Sequence, residues 1–181
     1  SSDLTQAEVE GRRQADALIP YFRKYFPGFQ NARLIQAATT IGVRETRRLR
    51  GSYVLQMEDL REDMRFDDCI ALCSYPVDIH SPTGKGGGVL WNESKIDPPN
   101  QFQIPYRILV PESMDGLLAA GRCVSATHET LGSIRVMPPC FATGQAAGTA
   151  AALCVKSGVQ PRQVNIPVLQ QTLKENDVVL D

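Results

Sequence analysis

Residues 117–153 read LLAAGRCVSATHETLGSIRVMPPCFATGQAAGTAAAL, and this stretch determines the predicted fold. The apolar run at 117–120 predicts a buried strand that ends at Gly121 and is followed by a polar loop. A helix of small residues is predicted to begin near Cys140 and to continue to about Lys156. A strand, a glycine-bearing loop and a helix in this order indicate an α/β fold.

The small-residue helix contains two glycines, Gly144 and Gly148. Glycine costs ~1 kcal/mol relative to alanine inside a helix, so its presence indicates close approach of another backbone or a ligand. The amino end of a helix carries unpaired N–H groups and a partial positive charge. We therefore expect an anionic or electron-rich group to bind where this helix begins.

Other elements are predicted on both sides of this stretch. Residues 5–8 (TQAE) resemble a capping box, which predicts an amphipathic helix of about twenty residues that ends near Pro27. Pro20 lies inside that helix and is expected to kink or divide it. Residues 32–43 are predicted to form a strand, and the glycines and prolines of residues 81–101 predict a loop.

Shorter patterns occupy the rest of the chain. Residues 53–55 and 106–110 are predicted strands, and residues 58–66 have the spacing of a short helix. The segment 69–75 is again apolar. Asn165, followed by proline two residues later, predicts the cap of a final short helix.

Composition excludes several classes of protein. The chain has 181 residues, 43% of them hydrophobic, and a formal net charge of -1. It therefore has enough apolar residues for one ordinary core, and its charge gives no sign of nucleic-acid or anionic-membrane binding. No apolar stretch reaches the ~20 residues that span a bilayer, and the amino terminus lacks the pattern of an export signal.

The five cysteines are an odd number spread along the chain, unlike a disulfide framework. They slightly favour a reducing compartment such as the cytoplasm. Cys69 and Cys73 are four residues apart, but no second pair completes a zinc site, so we expect no metal. A hydrolase built on Cys140 and His128 is an alternative, although no third catalytic member or oxyanion loop is evident.

The stretch 117–151 resembles the terminal flavin-binding motif of a family of FAD-dependent oxidoreductases. These enzymes are related to the flavoproteins of fumarate reductase and succinate dehydrogenase. Three upstream segments are similar to other parts of the same family: residues 41–48 (IGVRETRR), 74–80 (SYPVDIH) and 104–107 (IPYR). Together the matches extend over most of residues 41–155.

The resemblance implies an α/β fold with FAD as cofactor. Residues 1–105 would be mainly an α+β part of the substrate domain, and residues 106–181 the C-terminal return of a Rossmann-type FAD-binding domain. The family's G-x-G-x-x-G turn and acidic ribose ligand do not occur in these residues. We therefore expect the chain to be the C-terminal part of a longer product, and to be inactive and weak in FAD binding by itself.

The resemblance also implies a set of site residues. His128, His80 and Arg44 are candidate catalytic residues, the histidines as acid or base and the arginine as an anion clamp. The alternatives are structural histidines, a solvated charge run at Arg44, and an ion pair between Arg135 and Glu129. The residues expected to line the flavin are Gly121, Arg122, Arg135, Met137, Pro138, Ala142, Thr143 and Gly144.

The implied reaction is hydride transfer between a small polar substrate and the flavin. A small molecule is the only partner that the sequence indicates, and neither its identity nor the oligomeric state can be read from the residues. Tyr75 and Asp78 could be catalytic or could simply form a strand end and a turn. The rival interpretation is a non-enzymatic α/β binding module without redox chemistry.

Overall fold

The computed structural model describes residues 2–79 and 101–180. The chain forms two compact units, residues 1–43 and 44–181. His80, one of the candidate catalytic residues, lies outside the described residues. No helix among those residues combines the length and the apolar character needed to cross a membrane.

The first unit is built on helix α1 (Ser2–Tyr25), which continues through Pro20. It begins before Thr5, so the start predicted from a capping box is wrong. The strand predicted at 32–43 is also wrong, because side chains of α1 bind its backbone. Glu8 accepts a hydrogen bond from Ile41 N–H at 2.7 Å, and Arg23 donates one to Ala32 O at 2.7 Å. Backbone groups that are bound in this way do not need a partner strand.

The second unit contains the remaining helices and one two-stranded sheet. Strands β1 (Cys69–Cys73) and β2 (Phe102–Pro105) pair antiparallel, with Cys69 opposite Pro105 and Cys73 opposite Phe102. The helices are α2 (Met57–Arg61), α3 (His128–Ile134), α4 (Met137–Ser157) and α5 (Ile166–Glu175). Helix α4 packs against β1 and α5, and this arrangement forms the centre of the unit.

Three strands predicted in this unit are not found. Residues 106–110 contain instead a 3-10 helix, Tyr106–Leu109, which directly follows β2. Asp68 causes this change, since its backbone oxygen accepts from Tyr106 N–H at 2.8 Å and its carboxylate from Arg107 N–H at 3.0 Å. Residues 53–55 contribute only an isolated bridge at Leu55, and the helix predicted at 58–66 ends at Arg61.

Residues 117–120 are extended but do not form the predicted buried strand. Leu117 is 44% exposed. Ala119 N–H donates to Leu109 O at 2.9 Å, but this single backbone hydrogen bond does not make residues 117–120 a β-strand. A 3-10 turn, Gly121–Cys123, follows. The polar loop expected next contains helix α3, whose first turn is capped by the side chain of Thr127.

Two predicted helices are confirmed. Helix α4 begins within three residues of Cys140, and Gly158 ends it in a left-handed conformation with φ 66°. Such a residue after the last turn is favoured because glycine has no Cβ to strain. Helix α5 is capped as predicted, with the Asn165 side chain accepting from Val168 N–H at 3.1 Å.

The core of the second unit joins the sheet to α4 and α5. Ala146, Ala150 and Cys154 form the buried side of α4, and Leu169 and Leu173 that of α5. The described residues thus combine helices with one small antiparallel sheet, which is compatible with the predicted α/β class. The Rossmann-type part and the domain boundary near residue 105 stay predictions.

Candidate functional site

Three arginines of the second unit meet at one small cavity of about 260 Å³. Arg44, Arg122 and Arg135 line it together with Asp78 and Val136. We call this cavity the arginine pocket. All three arginines were candidate site residues in the sequence, where they lie up to ninety residues apart. Three positive charges face one carboxylate, so the pocket has the electrostatic character of an anion site.

The pocket depends on close docking of residues 75–79 against α3. Asp78 N–H donates to Gly132 O at 3.4 Å, and Ser133 Oγ donates to Tyr75 O. A Cβ at Gly132 would lie 3.0 Å from Ile79 Cγ1 and 3.1 Å from Asp78 O. Glycine at this position therefore permits the close approach, and sequence reasoning did not single it out.

Two of the arginines contact Asp78 directly. Arg135, at the C-cap of α3, donates to Asp78 O at 2.6 Å, and Arg44 Nη1 lies 4.0 Å from Asp78 Oδ2. The Arg135 contact is correctly spaced for a hydrogen bond, and among the described residues no ion pair joins Arg135 to Glu129, the alternative partner. The Arg44 side chain is 56% exposed, so its ion pair contributes only ~0–1 kcal/mol. Arg44 can therefore turn toward a bound anion at little cost.

The start of α4 lies at the pocket, but it has fewer unpaired backbone N–H groups than the sequence predicted. Val136 is the N-cap and has no side-chain cap. Pro138 and Pro139 lack an N–H group, and Cys140 N–H already donates to Val136 O at 3.1 Å. Only Met137 N–H remains in the first turn. The positive charge of the site thus comes mainly from guanidinium groups.

Gly121 and Thr143 join the loop to α4. Gly121 has φ 73°, and its N–H donates to Thr143 Oγ1 at 3.0 Å. Thr143 in turn donates to Pro139 O at 2.9 Å and is 1% exposed. Its hydroxyl is therefore committed to the protein, which gives Thr143 a structural function beside the site.

A second, larger cavity of about 600 Å³ also lies at the α4 start. Val136 lines both cavities. Pro138 and Ala142, two of the predicted flavin residues, belong to the larger one, together with Tyr75 and Phe141. We call it the apolar cavity, because proline, alanine and aromatic side chains dominate its wall.

Four of the predicted flavin residues line neither of these cavities: Gly121, Met137, Thr143 and Gly144. Met137 is 72% exposed, and a Cβ at Gly144 would meet no atom within 4 Å. Gly148 is equally open. The close approach expected at the helix glycines is therefore not seen among the described residues, and α4 presents an open face there.

His128 is the first residue of α3 and does not line the arginine pocket. Its Nδ1 lies 2.7 Å from Glu45 Oε2, and Glu45 Oε1 lies 2.8 Å from Arg48 Nη1. Glu45 was not a candidate in the sequence. The only sequence signal was its position directly after Arg44 in a charged run.

Cys140 and His128 do not form the pair that the hydrolase alternative requires. Burial raises the pKa of the Cys140 thiol, and the charge of Arg122 lowers it by less. Cys140 Sγ contacts Arg135 O at 3.3 Å, whereas His128 is bound to Glu45. A thiol of raised pKa is a poor nucleophile. Within residues 2–79 and 101–180, no group of three potential metal ligands occurs.

A family model described as FAD dependent oxidoreductase matches residues 1–173. A search of curated proteins and a search of solved structures each found no match. The matched residues include the whole of α4 and every residue that lines the arginine pocket. Three residues that line the apolar cavity, Asp177, Val178 and Val179, lie beyond the match.

Proposed function

Because the chain belongs to the FAD dependent oxidoreductase family, we propose that its arginine pocket binds a small anionic substrate for flavin-linked hydride transfer. The cofactor of this family is FAD, which supplies a two-electron hydride carrier when bound. The convergence of Arg44, Arg122 and Arg135 on one cavity is the observation that carries the proposal.

The chemistry of the pocket favours a carboxylate or a similar anion. Guanidinium groups remain charged and bind planar anions through two parallel hydrogen bonds. A cavity of about 260 Å³ lies just below the ~300–1,000 Å³ of drug-sized ligand pockets, which points to a ligand of few atoms. The backbone oxygen of Asp78 holds Arg135, and its single carboxylate leaves an excess of positive charge among the residues that line the pocket.

The residues around the α4 start fit part of a flavin. The apolar cavity offers proline, alanine and aromatic walls to a flat ring, and Met137 N–H is a donor for a carbonyl edge. Pro138, Ala142 and Met137 are the residues that would hold such a ring. Gly144 would allow close approach over the open face of α4. Gly121 and Thr143 would support this surface from beneath.

Anion binding by the arginine pocket can be measured directly. Succinate and inorganic phosphate would be titrated into the chain and into the variants Arg44→Gln and Arg135→Gln, with heat or NMR shifts as readout. A hydrogen bond to a charged group contributes ~1.5–3 kcal/mol, so each variant should bind roughly 10- to 100-fold more weakly. Binding should also weaken with salt.

Arg47→Gln is the matched control, because Arg47 belongs to the same charged run but does not line the pocket. It should bind both anions like the unchanged chain. Either of two results would remove the basis for an anionic substrate. The three variants could bind the anions with equal affinity, or the unchanged chain could bind neither anion at low salt.

A further inference from the structure

Glu45 holds two neighbouring side chains at once. Its Oε2 contacts Nδ1 of His128 at 2.7 Å, and its Oε1 contacts Nη1 of Arg48 at 2.8 Å. The Glu45 side chain is 16% exposed, whereas the His128 side chain is 54% exposed. Both oxygens of a largely covered carboxylate are therefore occupied, one by a cation and one by an imidazole ring that faces solvent.

This contact determines which ring nitrogen carries the proton. An ionised carboxylate only accepts hydrogen bonds, so Nδ1 of His128 must be the donor. In a neutral imidazole the other nitrogen, Nε2, is then the acceptor. Since Oε1 of Glu45 is bound to Arg48, the carboxylate cannot rotate away from the ring without losing that ion pair.

The backbone around Glu45 places this arrangement next to the arginine pocket. Leu49 N–H donates to Cys123 O at 2.7 Å, which fixes the segment 44–49 along the turn before α3. Arg44 lines the pocket, and its neighbour Glu45 binds the ring at the start of α3. The end of the same helix contributes Arg135 to the pocket.

We propose that Glu45 is a positioning residue that holds His128 in the tautomer protonated at Nδ1, with Nε2 presented as a proton acceptor. The tautomer follows from the contacts alone, whereas its use in the reaction rests on the proposed function. When bound, FAD would supply the hydride acceptor of an oxidation, and Nε2 of His128, which does not line the arginine pocket, would take the proton from a substrate group that extends to the start of α3. The resulting imidazolium would be stabilised by the carboxylate of Glu45.

The tautomer can be read by NMR, because the chain has only two histidines, His80 and His128. The chain would be labelled with ¹⁵N-histidine, and spectra would be recorded over a series of rising pH until the ring shifts no longer change. His80→Gln assigns the signals. We expect the large downfield ¹⁵N shift of an unprotonated nitrogen at Nε2 of His128, and a protonated nitrogen at Nδ1.

Three variants separate positioning from folding. Glu45→Ala should lose the preference for Nδ1 protonation. Glu45→Gln offers one oxygen to two partners. Because Arg48 can only donate, the amide oxygen should face Arg48 and the NH2 group should face Nδ1, which reverses the tautomer. Glu129→Ala removes the carboxylate adjacent to His128 in sequence and should change nothing. Amide spectra would show that each variant is folded.

The proposal is overturned if the unchanged chain protonates Nε2, or if folded Glu45→Ala keeps the original tautomer. Anion titration of the same samples reports separately on the proposed function. An Nε2-protonated ring in a chain that binds succinate through its arginines would refute the role of Glu45 alone. An Nδ1-protonated ring in a chain without anion binding would refute the substrate proposal alone.

Discussion

Replacing Thr143 by valine tests whether this residue holds the loop or the cofactor. Thr143 Oγ1 accepts the N–H of Gly121 at 3.0 Å and is 1% exposed. Valine has nearly the same shape and a similar helix propensity, so the main loss is the acceptor for Gly121. A buried donor left without a partner costs ~1–3 kcal/mol.

The free energy of unfolding that Thr143→Val loses is expected to lie near the lower end of that range. Gly121 is only half-buried, so water can partly replace the hydroxyl. The additional methyl group of valine gains up to ~0.8 kcal/mol through burial. We therefore expect Thr143→Val to lower the free energy of unfolding by about 1 kcal/mol. With a slope of ~2 kcal/mol per molar urea, the midpoint should fall by roughly 0.5 M.

Urea unfolding followed by far-UV circular dichroism, without FAD, is the assay. Thr149→Val is the control, because it makes the same change on the same helix. Thr149 is half-buried, and its hydroxyl contacts no loop amide in the described part of the chain. Its midpoint should stay within error of the unchanged chain. If both variants unfold at the same urea concentration as the unchanged chain, Thr143 does not hold the loop.

Three further outcomes are expected. Gly132→Ala should lower the free energy of unfolding by ~1–3 kcal/mol, because its Cβ would lie too close to Asp78 O. The same change should weaken succinate binding. Unchanged binding in titration calorimetry would contradict this. FAD should bind the 181 residues with a dissociation constant above about 1 μM, a binding free energy of about -8 kcal/mol, because they contain no G-x-G-x-x-G turn. Titration calorimetry measures this constant, and submicromolar binding would disprove the prediction. Burial and Asp59 raise the pKa of Tyr53 from 10.0 to about 12, so its contribution to stability is intact below pH 10 and is lost as the pH rises through about 12. Urea midpoints of Tyr53→Phe should therefore fall less over that range than those of the unchanged chain, and equal falls would argue against the raised pKa.

Two helix starts were predicted well because their signals are local. The cap at Asn165 and the start of α4 near Cys140 each depend on residues within about one turn of the helix start. The capping box at residues 5–8 was misleading, because α1 begins at Ser2. The strands were predicted poorly because their backbone groups found other partners. Asp68 binds the backbone after Pro105, and α1 side chains bind residues 32–41. The partners are 39 residues apart for Asp68 and Arg107, 33 for Glu8 and Ile41, and nine for Arg23 and Ala32. Hydrophobic patterns carry no information about such side-chain to backbone contacts.

The candidate site was also predicted only in part: its residues could be named from the sequence, but their arrangement could not. Arg44, Arg122 and Arg135 could each be proposed from a motif, but their convergence depends on the docking of residues 75–79 against α3. Gly132 makes that docking sterically possible. Neither the contact nor the need for glycine can be read from spacing along one sequence.

The two prolines at the start of α4 decide how this site can attract an anion. A helix amino end normally offers several amides at fixed positions, and their attraction for an anion falls off within the first turn. Pro138 and Pro139 remove two of them, so side chains must supply the charge. Arg44 is 56% exposed, and interactions of exposed charges fall off over a Debye length of ~10 Å at 0.1 M salt. Anion binding here should therefore weaken as ionic strength rises, and it should depend on individual arginines more than binding at a helix terminus without prolines.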